Sequence, residues 1–351
     1  MYCDNNINAG EARIIVYGIN SHAGSAATGT YTIGKKAGTI GYATTDISKR
    51  YGDAAFINTL TKNGDGTVAY TSSNESVATV DSDGKVKITQ GATSGSTATI
   101  TATVTPTDNF TFENPSATYT LTVSSAAYTI SQLKTDAGNG SGSEHLGYEV
   151  WSNGDLIHKD SGVTPTDGSA TKVGYVAYLS TNDVDTGVSG SRILVLSAVD
   201  VGNKTSWGPN SCSSHTLSNN SSLCGYSNTS TMVNCANVHL AAKAAWNYSA
   251  AIPSGGATPA HWFLPSFKQY EVMIAAFDPN VVNDKDNKSF PNFKNNMDWE
   301  QDSYWTSTEA STVSFAHALY ASGYRDGDDT PIFIAGNDKS RSFHVRACFA
   351  Y

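Results

Sequence analysis

His261–Phe277 reads HWFLPSFKQYEVMIAAF, and this stretch decides how the C-terminal half folds. Ser266 stands where an N-cap belongs and Gln269 follows three residues later. This is the spacing of a capping box, in which hydroxyl and amide each satisfy a backbone group at the helix start. Tyr270, Met273, Ile274 and Phe277 then recur at helical spacing, so a helix with one apolar stripe is expected. Upstream, GYEVWSNG (147–154), KVGYVAYLS (172–180) and RILVLSAVDV (192–201) read as strands, the last two apolar enough to be central. A Ser/Asn/Cys-rich loop is expected over 203–230 and a helix over 233–248, with Val238, Ala241, Ala242 and Ala245 on one face. The remainder, 278–351, reads as loop and short strand.

The N-terminal half has a different period. TVAYTSS (67–73), VATVD (77–81), KVKIT (85–89), ATITATV (98–104) and TYTLTV (118–123) alternate β-branched or aromatic residues with polar ones. Turn signals such as NGDG (63–66) and DSDG (81–84) fall between them, so residues 39–125 form one all-β unit, most economically a sandwich. Residues 1–38 contain ARIIVYGI and GTYTI and have two open readings, a partial β unit or an arm docked on the sandwich. AAYTISQLKTDAGNGSGSEH (126–145) reads as a linker into the second domain, 146–351.

Composition narrows the function. Only 15% of residues are charged, the net charge is −9, and no basic stripe exists to neutralise phosphates, so neither a nucleic-acid partner nor membrane insertion is expected. No apolar run approaches the roughly 18 residues that span a bilayer, and the opening MYCDNNINAGEARIIVYG lacks the pattern of a secretion signal. The five cysteines (Cys3, Cys212, Cys224, Cys235, Cys348) lack metal-ligand spacing, and a Cys212–Cys224 disulfide and separate thiols are both open. Asp284, Asp286 and Asn287, like Asp326, Asp328 and Asp329, lack the spacing of a calcium loop and read as solvated carboxylates; no metal or cofactor is expected. His215, His239 and His261 are scattered, and no nucleophile elbow, phosphate loop or His-Glu-x-x-His is present.

Two resemblances go further. VAYTSSNESVATVDSDGKVKIT (68–89), with GSTATITATVTPTDNF (95–110) and TYTLTV, resembles the bacterial immunoglobulin-like repeat of the Big_2 type, which implies a stalk that displays something else. HWFLPS, then DSYWTSTE (302–309), then HVRACFAY (344–351) resemble the C-type-lectin-like domains of prokaryotes and phages. The implied fold is multidomain: an all-β immunoglobulin-like sandwich followed by an α+β lectin-like domain with two helices. More narrowly, YWTSTE about forty residues ahead of a terminal Val-Arg-Ala strand is similar to the variable proteins of diversity-generating retroelements, whose closing segment is rewritten by adenine-directed mutagenesis.

That resemblance implies a variable region at about 305–351. Mutagenesis of AAC codons never yields Lys, Glu, Met, Trp or Gln, and none of these five occurs from Ala310 to Asp338. Scaffold positions are then Trp262, Leu264, Trp305, Glu309, Lys339 and Arg346. The ligand-binding face is Val313, Ser314, Phe315, His317, Tyr320, Ser322, Tyr324, Asp326, Asp328, Asp338, Ser340 and His344. Phe315, Tyr320 and Tyr324 have a competing reading as core aromatics. The mixture of aromatics with hydroxyls and small residues suits recognition rather than catalysis. The expected function is therefore non-enzymatic recognition of a protein or glycan ligand on a host or environmental cell surface, with display on a virion. A bacterial surface adhesin is the alternative location. An enzyme of the formylglycine-generating type, resting on Cys348 or the Cys212, Cys224 and Cys235 set, is the alternative class.

Overall fold

The computed structural model describes all residues except 1, 5–6, 125–126, 209–221, 236–237, 281–289, 300–302, 311–313 and 321–332. It divides into two compact units, Met1–Ala126 with Asp160–Val163, and Ala127–Lys159 with Thr164–Tyr351.

Apart from short 3-10 turns at Asn20–His22 and Lys159–Ser161, the first unit is all β among its described residues. β1 (Tyr2–Asp4), β2 (Gly10–Tyr17) and β3 (Ala26–Ile33) form an antiparallel sheet in that order, so ARIIVYGI and GTYTI are neighbouring strands. Ten further strands follow: β4 (Lys36–Tyr42), β5 (Asp46–Lys49), β6 (Phe56–Ile57), β7 (Leu60–Asn63), β8 (Thr67–Ser72), β9 (Ala78–Val80), β10 (Lys85–Ile88), β11 (Thr97–Thr105), β12 (Phe110–Phe112) and β13 (Ser116–Val123). They make sheets of order β5-β13-β11-β8, β12-β4-β7 and β6-β10-β9. The alternation in the sequence is the reason: Ala98, Ile100, Ala102 and Val104 of β11 and Tyr119, Leu121 and Val123 of β13 all point inward and are buried. DSDG makes the expected turn, with the Asp81 carboxylate accepting from the N–H groups of Asp83 and Lys85, both at 2.9 Å.

The second unit begins earlier than the sequence suggested. Residues 126–145 are not a linker: Tyr128–Thr129 is a strand (β14), and Ile130–Gly138 is a helix (α1) with Ile130, Leu133 and Ala137 buried. Thr129 and Gln132 close a capping box at its start, a signal masked in the sequence by the Gly/Ser-rich stretch that follows. β14, β15 (Glu149–Trp151), β16 (Asp155–Ile157), β17 (Lys172–Leu179), β18 (Ile193–Ser197) and the chain-closing strand Cys348–Ala350 build a six-stranded sheet in the order β14-β16-β15-β17-β18-closing strand. β18 is buried on both faces, Ile193 and Val195 in one apolar cluster, Leu194 and Leu196 in the other, which is why it reads as one continuous apolar run.

The remaining strands are β19 (Gly202–Ser206), β20 (Ser303–Glu309), β21 (Phe315–Tyr320), β22 (Phe333–Asp338) and β23 (Ser342–Val345), the closing strand being β24. They form a second sheet of order β19-β23-β20-β21-β22. Here Tyr304 enters one cluster and Trp305 the other, so β20 too is buried on both sides.

Five α-helices occur among the described residues where two were expected. The helix predicted over 233–248 is the shorter α3 (Leu240–Trp246), whereas α2 (Gly225–Val233) stands largely in the stretch expected to be loop, and Val238 lies before α3, 49% exposed, instead of on a buried stripe. The capped helix α4 (Phe267–Phe277) is as read, with Tyr270, Met273 and Ile274 buried. A short α5 (Pro291–Asn296) with Pro at its first position stands in a region expected to be loop.

Candidate functional site

The strands that follow YWTSTE carry the predicted binding face, and only part of it is described. Val313, Ser322, Tyr324, Asp326 and Asp328 lie outside the described residues, as do Asp284, Asp286, Asn287 and Asp329. Tyr320 closes β21. Ser314 and Phe315 are half-buried at the start of that strand. Asp338 and exposed Ser340 share the turn from β22 to β23, where the Asp338 carboxylate accepts from the Ser340 N–H at 2.9 Å and its hydroxyl at 2.7 Å. These hydrogen bonds hold the Asp338 carboxyl below its usual range. His344 is mostly buried, its Nδ1 3.2 Å from Asp200 Oδ2.

His317 departs from the predicted face. It is 3% exposed, its ring lies 5.0 Å from that of Phe267 in α4, and burial holds its pKa below the ordinary value. The reason is the pairing of β21 against β20 beneath α4: an aromatic at this register meets the helix, not solvent.

The residues assigned to the frame are all interior. Trp262, Leu264, Trp305, Glu309, Lys339 and Arg346 are each 5% exposed or less. Trp262 donates its indole N–H to the Ala250 carbonyl at 2.7 Å, and Trp305 donates to Thr205 at 2.7 Å, tying β20 to β19. Arg346 is surrounded by carbonyls: Nε donates to Ser197 at 2.8 Å, Nη1 to Asp298 at 3.2 Å, and Nη2 to Met297 at 2.6 Å and Ala198 at 3.2 Å. Glu309 and Lys339 form an ion pair inside the unit, with the Lys339 ammonium 4.5 Å from the ring centre of Trp207. Trp207 in turn donates through its indole to Thr306 at 2.8 Å and through its backbone to Lys339 at 3.0 Å. The residues on either side of 310–338, the stretch that lacks the five excluded types, are thus fastened to each other.

Sequence reasoning missed Trp207, Asp185 and Gln269 as parts of this frame. Gln269 does more than cap α4: its amide nitrogen donates to Val184 O at 3.1 Å and to the buried Asp185 carboxylate at 2.8 Å. Asp185 also accepts from the N–H groups of Gly187 at 2.8 Å and Tyr226 at 3.0 Å, while burial keeps its carboxyl above the usual range. No signal in the sequence joins residues some eighty positions apart.

A cleft of about 690 Å³ opens beside β17, β20 and the residues after α5, lined among others by Lys172, Tyr175, Asp200, Asp298, Trp299 and Arg346. Lys172 reaches Glu149 at 3.0 Å, the Tyr175 hydroxyl at 2.9 Å and Asp298 at 3.8 Å, and Tyr175 donates to Asp298. Burial pulls the Lys172 ammonium down, but these hydrogen bonds and the Glu149 charge carry it above its ordinary value. Burial and the bond to Asp298 push Tyr175 up to about 12, so it stays a donor at any physiological pH. Asp200 accepts from Tyr304 at 3.2 Å and faces Arg346 at 3.8 Å; burial outweighs these partners and raises its carboxyl above the usual range.

Two of the candidate nucleophiles, Cys348 and Cys224, are poorly placed. Cys348 is fully buried and burial pushes its thiol well up, and burial raises Cys224 as well; a thiol of raised pKa holds little thiolate at neutral pH. Cys212 lies outside the described residues. Among the described residues no three His, Cys, Asp or Glu side chains converge as a metal site, and no helix is long and apolar enough to cross a membrane.

Residues 56–113 match the family model of the bacterial Ig-like domain (group 2), within the strand-rich span read as a sandwich. No curated protein matches the chain. Among solved structures, a fimbrial protein from Bacteroides ovatus ATCC 8483 is similar at 11% identity and a TM-score of 0.38, over 97% of this chain and 75% of that one. The chain therefore carries a bacterial immunoglobulin-like domain ahead of an α+β unit.

Proposed function

We propose that this chain is a non-enzymatic recognition protein in which a bacterial immunoglobulin-like domain displays a C-type-lectin-like head. The ligand-binding face of that head, on β21–β23 and the segments joining them, is diversified by an adenine-directed retroelement. The ligand is a protein or glycan on a cell surface, and display is on a virion or, alternatively, on a bacterial surface.

The observation that carries this reading is the buried clamp of Glu309 and Lys339, the residues on either side of 310–338. Trp305, Glu309 and Lys339 are residue types that mutagenised AAC codons cannot produce, and they occupy positions 0%, 5% and 0% exposed. Ser340, next to Lys339, is exposed. A frame held by the Glu309–Lys339 pair, Trp207 and Arg346 supports replacement of its outward neighbours without loss of the fold. The immunoglobulin-like domain supports an extracellular, adhesion-type setting, and the fully buried thiol of Cys348 and the raised pKa of half-buried Cys224 weigh against thiol catalysis at these two residues.

Two measurements test the reading. The gene's surroundings should hold a reverse transcriptase and a near-copy of the 3′ end differing mainly at adenines. Replacing Phe315, Tyr320 and Tyr324 together by Ser should abolish cell-surface binding with little change in melting temperature. A fall of many degrees would assign these side chains to the core and overturn the proposal.

A further inference from the structure

A second hollow, of about 870 Å³, is walled by α3, β19 and the start of β23, within the roughly 300–1,000 Å³ range of ligand clefts. Its helix wall follows from the period of α3. Ala241, Ala242 and Ala245 turn into the core, which leaves Leu240, Lys243, Ala244 and Asn247, spaced i, i+3, i+4 and i+7, to line the hollow. Gly202 sets how closely that helix approaches: a Cβ there would stand 3.1 Å from Cβ of Ala244 and 3.1 Å from Cβ of Val345.

The strand wall breaks a local rule. Between Gly202, opposite Val345, and Thr205, opposite Phe343, β19 carries two residues where β23 carries one, which is a β-bulge. Lys204 in that bulge has φ of 48°, a conformation that residues other than Gly, Asn and Asp seldom adopt. The flanks are pinned: the Val201 N–H donates to Val345 O at 2.8 Å, and Thr205 O accepts from the Trp305 indole at 2.7 Å. Glycine would suit this backbone better. What lysine adds is a charged side chain lining the hollow.

The charge there is one-sided. Exposed Lys204 and half-buried Lys243 line the hollow, no Asp or Glu does so among the described residues, and neither ammonium has an ion-pair partner among them. The adjoining turn holds one charge of each sign, Arg341 and Asp338, and the Asp338 carboxylate already accepts from Ser340. Asp200, next to Val201, is turned to Tyr304 and His344, and Lys339 is paired with Glu309. Two cations without acids attract a carboxylate locally, while the net charge of −9 repels an extended polyanion. Leu240, 47% exposed, and half-buried Tyr248 supply apolar surface beside the two lysines. The matching group is a carboxylate next to an aliphatic side chain.

We infer that this hollow is a constant docking site for an acidic segment of a partner protein, in which Asp or Glu alternates with aliphatic residues. The assignment rests on the recognition reading above and names the chemistry of the partner. Ser340 at the rim is one of the changeable positions, whereas Lys204 and Lys243 lie outside 305–351, so the acidic contact persists while its neighbour varies. A sialylated glycan supplies a carboxylate but no aliphatic side chain for Leu240.

The test titrates the full chain, by fluorescence anisotropy, with a dye-labelled and C-terminally amidated peptide Ser-Leu-Glu-Leu-Glu-Leu-Ser and with its Gln counterpart. N-acetylneuraminic acid, a single-stranded oligonucleotide and the unlabelled peptide serve as competitors. The acidic peptide should bind at least about tenfold tighter than the Gln counterpart, and more weakly as salt rises. Lys204→Gly combined with Lys243→Gln should weaken it about tenfold, the product of two partly exposed charge contacts. Lys204→Gly alone should leave the tryptophan-monitored unfolding midpoint level or higher, because Gly suits φ of 48°, so lost binding is not lost folding. The triple replacement of Phe315, Tyr320 and Tyr324 should leave peptide binding intact. A chain that binds cells through those three side chains yet ignores the peptide keeps the recognition reading and loses this site. No acidic-peptide binding, equal affinity for the Gln counterpart, or unchanged affinity in the lysine double variant would each overturn the assignment. Displacement by N-acetylneuraminic acid or the oligonucleotide at lower concentration than by unlabelled peptide would overturn it as well.

Discussion

Removing one partner of the Glu309–Lys339 pair isolates the clamp on which the recognition reading depends. Lys339 has no exposed side-chain surface and Glu309 only 7%, so Glu309→Ala would strand an ammonium group away from water. Breaking a buried pair from one side costs about 3–5 kcal/mol, because the surviving charge loses its partner and regains no solvent. Contact with the Trp207 ring, 4.5 Å away, offsets a fraction of that, placing the loss near the lower end of the range. All six tryptophans (Trp151, Trp207, Trp246, Trp262, Trp299, Trp305) lie in the second unit, so intrinsic fluorescence follows its unfolding and not that of the immunoglobulin-like unit. With a urea slope of about 2–3 kcal/mol per molar, the midpoint should fall by roughly 1–1.5 M. The double replacement Glu309→Leu with Lys339→Met restores an apolar interior and should recover most of the loss. A shift under about 0.3 M for Glu309→Ala, or a double variant no better than the single, would refute the clamp.

Two other outcomes follow from groups whose environment is equally defined. Burial holds the folded-state Asp200 carboxyl above its ordinary 3.8, despite Arg346, Tyr304 and His344 around it, so its stabilising contribution is full below 3.8 and is lost as pH rises through the raised value. Asp200→Asn removes that loss, and the variant should gain on the wild type as pH rises above 3.8 in fluorescence-monitored urea titrations; parallel pH profiles would contradict the sign. In the first unit, Gly84 has φ of 80° and an added Cβ would stand 2.9 Å from the Tyr70 ring. Gly84→Ala should lower the calorimetric transition of that unit by the equivalent of at least about 1 kcal/mol and leave tryptophan-monitored unfolding unchanged; an unaltered calorimetric trace would show that the DSDG turn is not constrained as described.

The parts of the fold legible in the sequence are those whose cause is local. Alternation in TATITATVT buries Ala98, Ile100, Ala102 and Val104, and the Ser266 to Gln269 spacing makes a capping box because both features act within a few residues. The α1 helix had the same signal in Thr129 and Gln132, but its nine residues sit between a short strand and a Gly-rich run whose composition resembles a linker. The start of α3 at Leu240, where a helix was expected from 233, was illegible because alanines at 241, 242 and 245 suit helix wherever it starts. Of the site, Trp305, Glu309 and Arg346 were legible through motif position, whereas Trp207, Asp185 and Asp200 join it only through pairings across a hundred residues or so. His317 was misread because alternation says which residues share a face, and not which of the two faces a helix covers.

Along β23, Phe343 packs on Trp305 with ring centres 4.5 Å apart, while His344 lies on the opposite side against Asp200 and Tyr304. Neither side of this strand is free, so any residue placed at 344 has to satisfy the buried Asp200 carboxylate. Ser340 carries no such burden: it is exposed, and its hydrogen bonds run to Asp338 within the same turn. Tolerance should therefore be graded along the closing segment, highest at the turn and at half-buried Ser314 and Phe315, lowest at His317 and His344. Saturation libraries at Ser340 and His344, sorted for folded display with a conformation-sensitive probe, separate these cases. Most substitutions should survive at 340 and few at 344, and equal tolerance at the two positions would mean that the Asp200 contact does not constrain the strand.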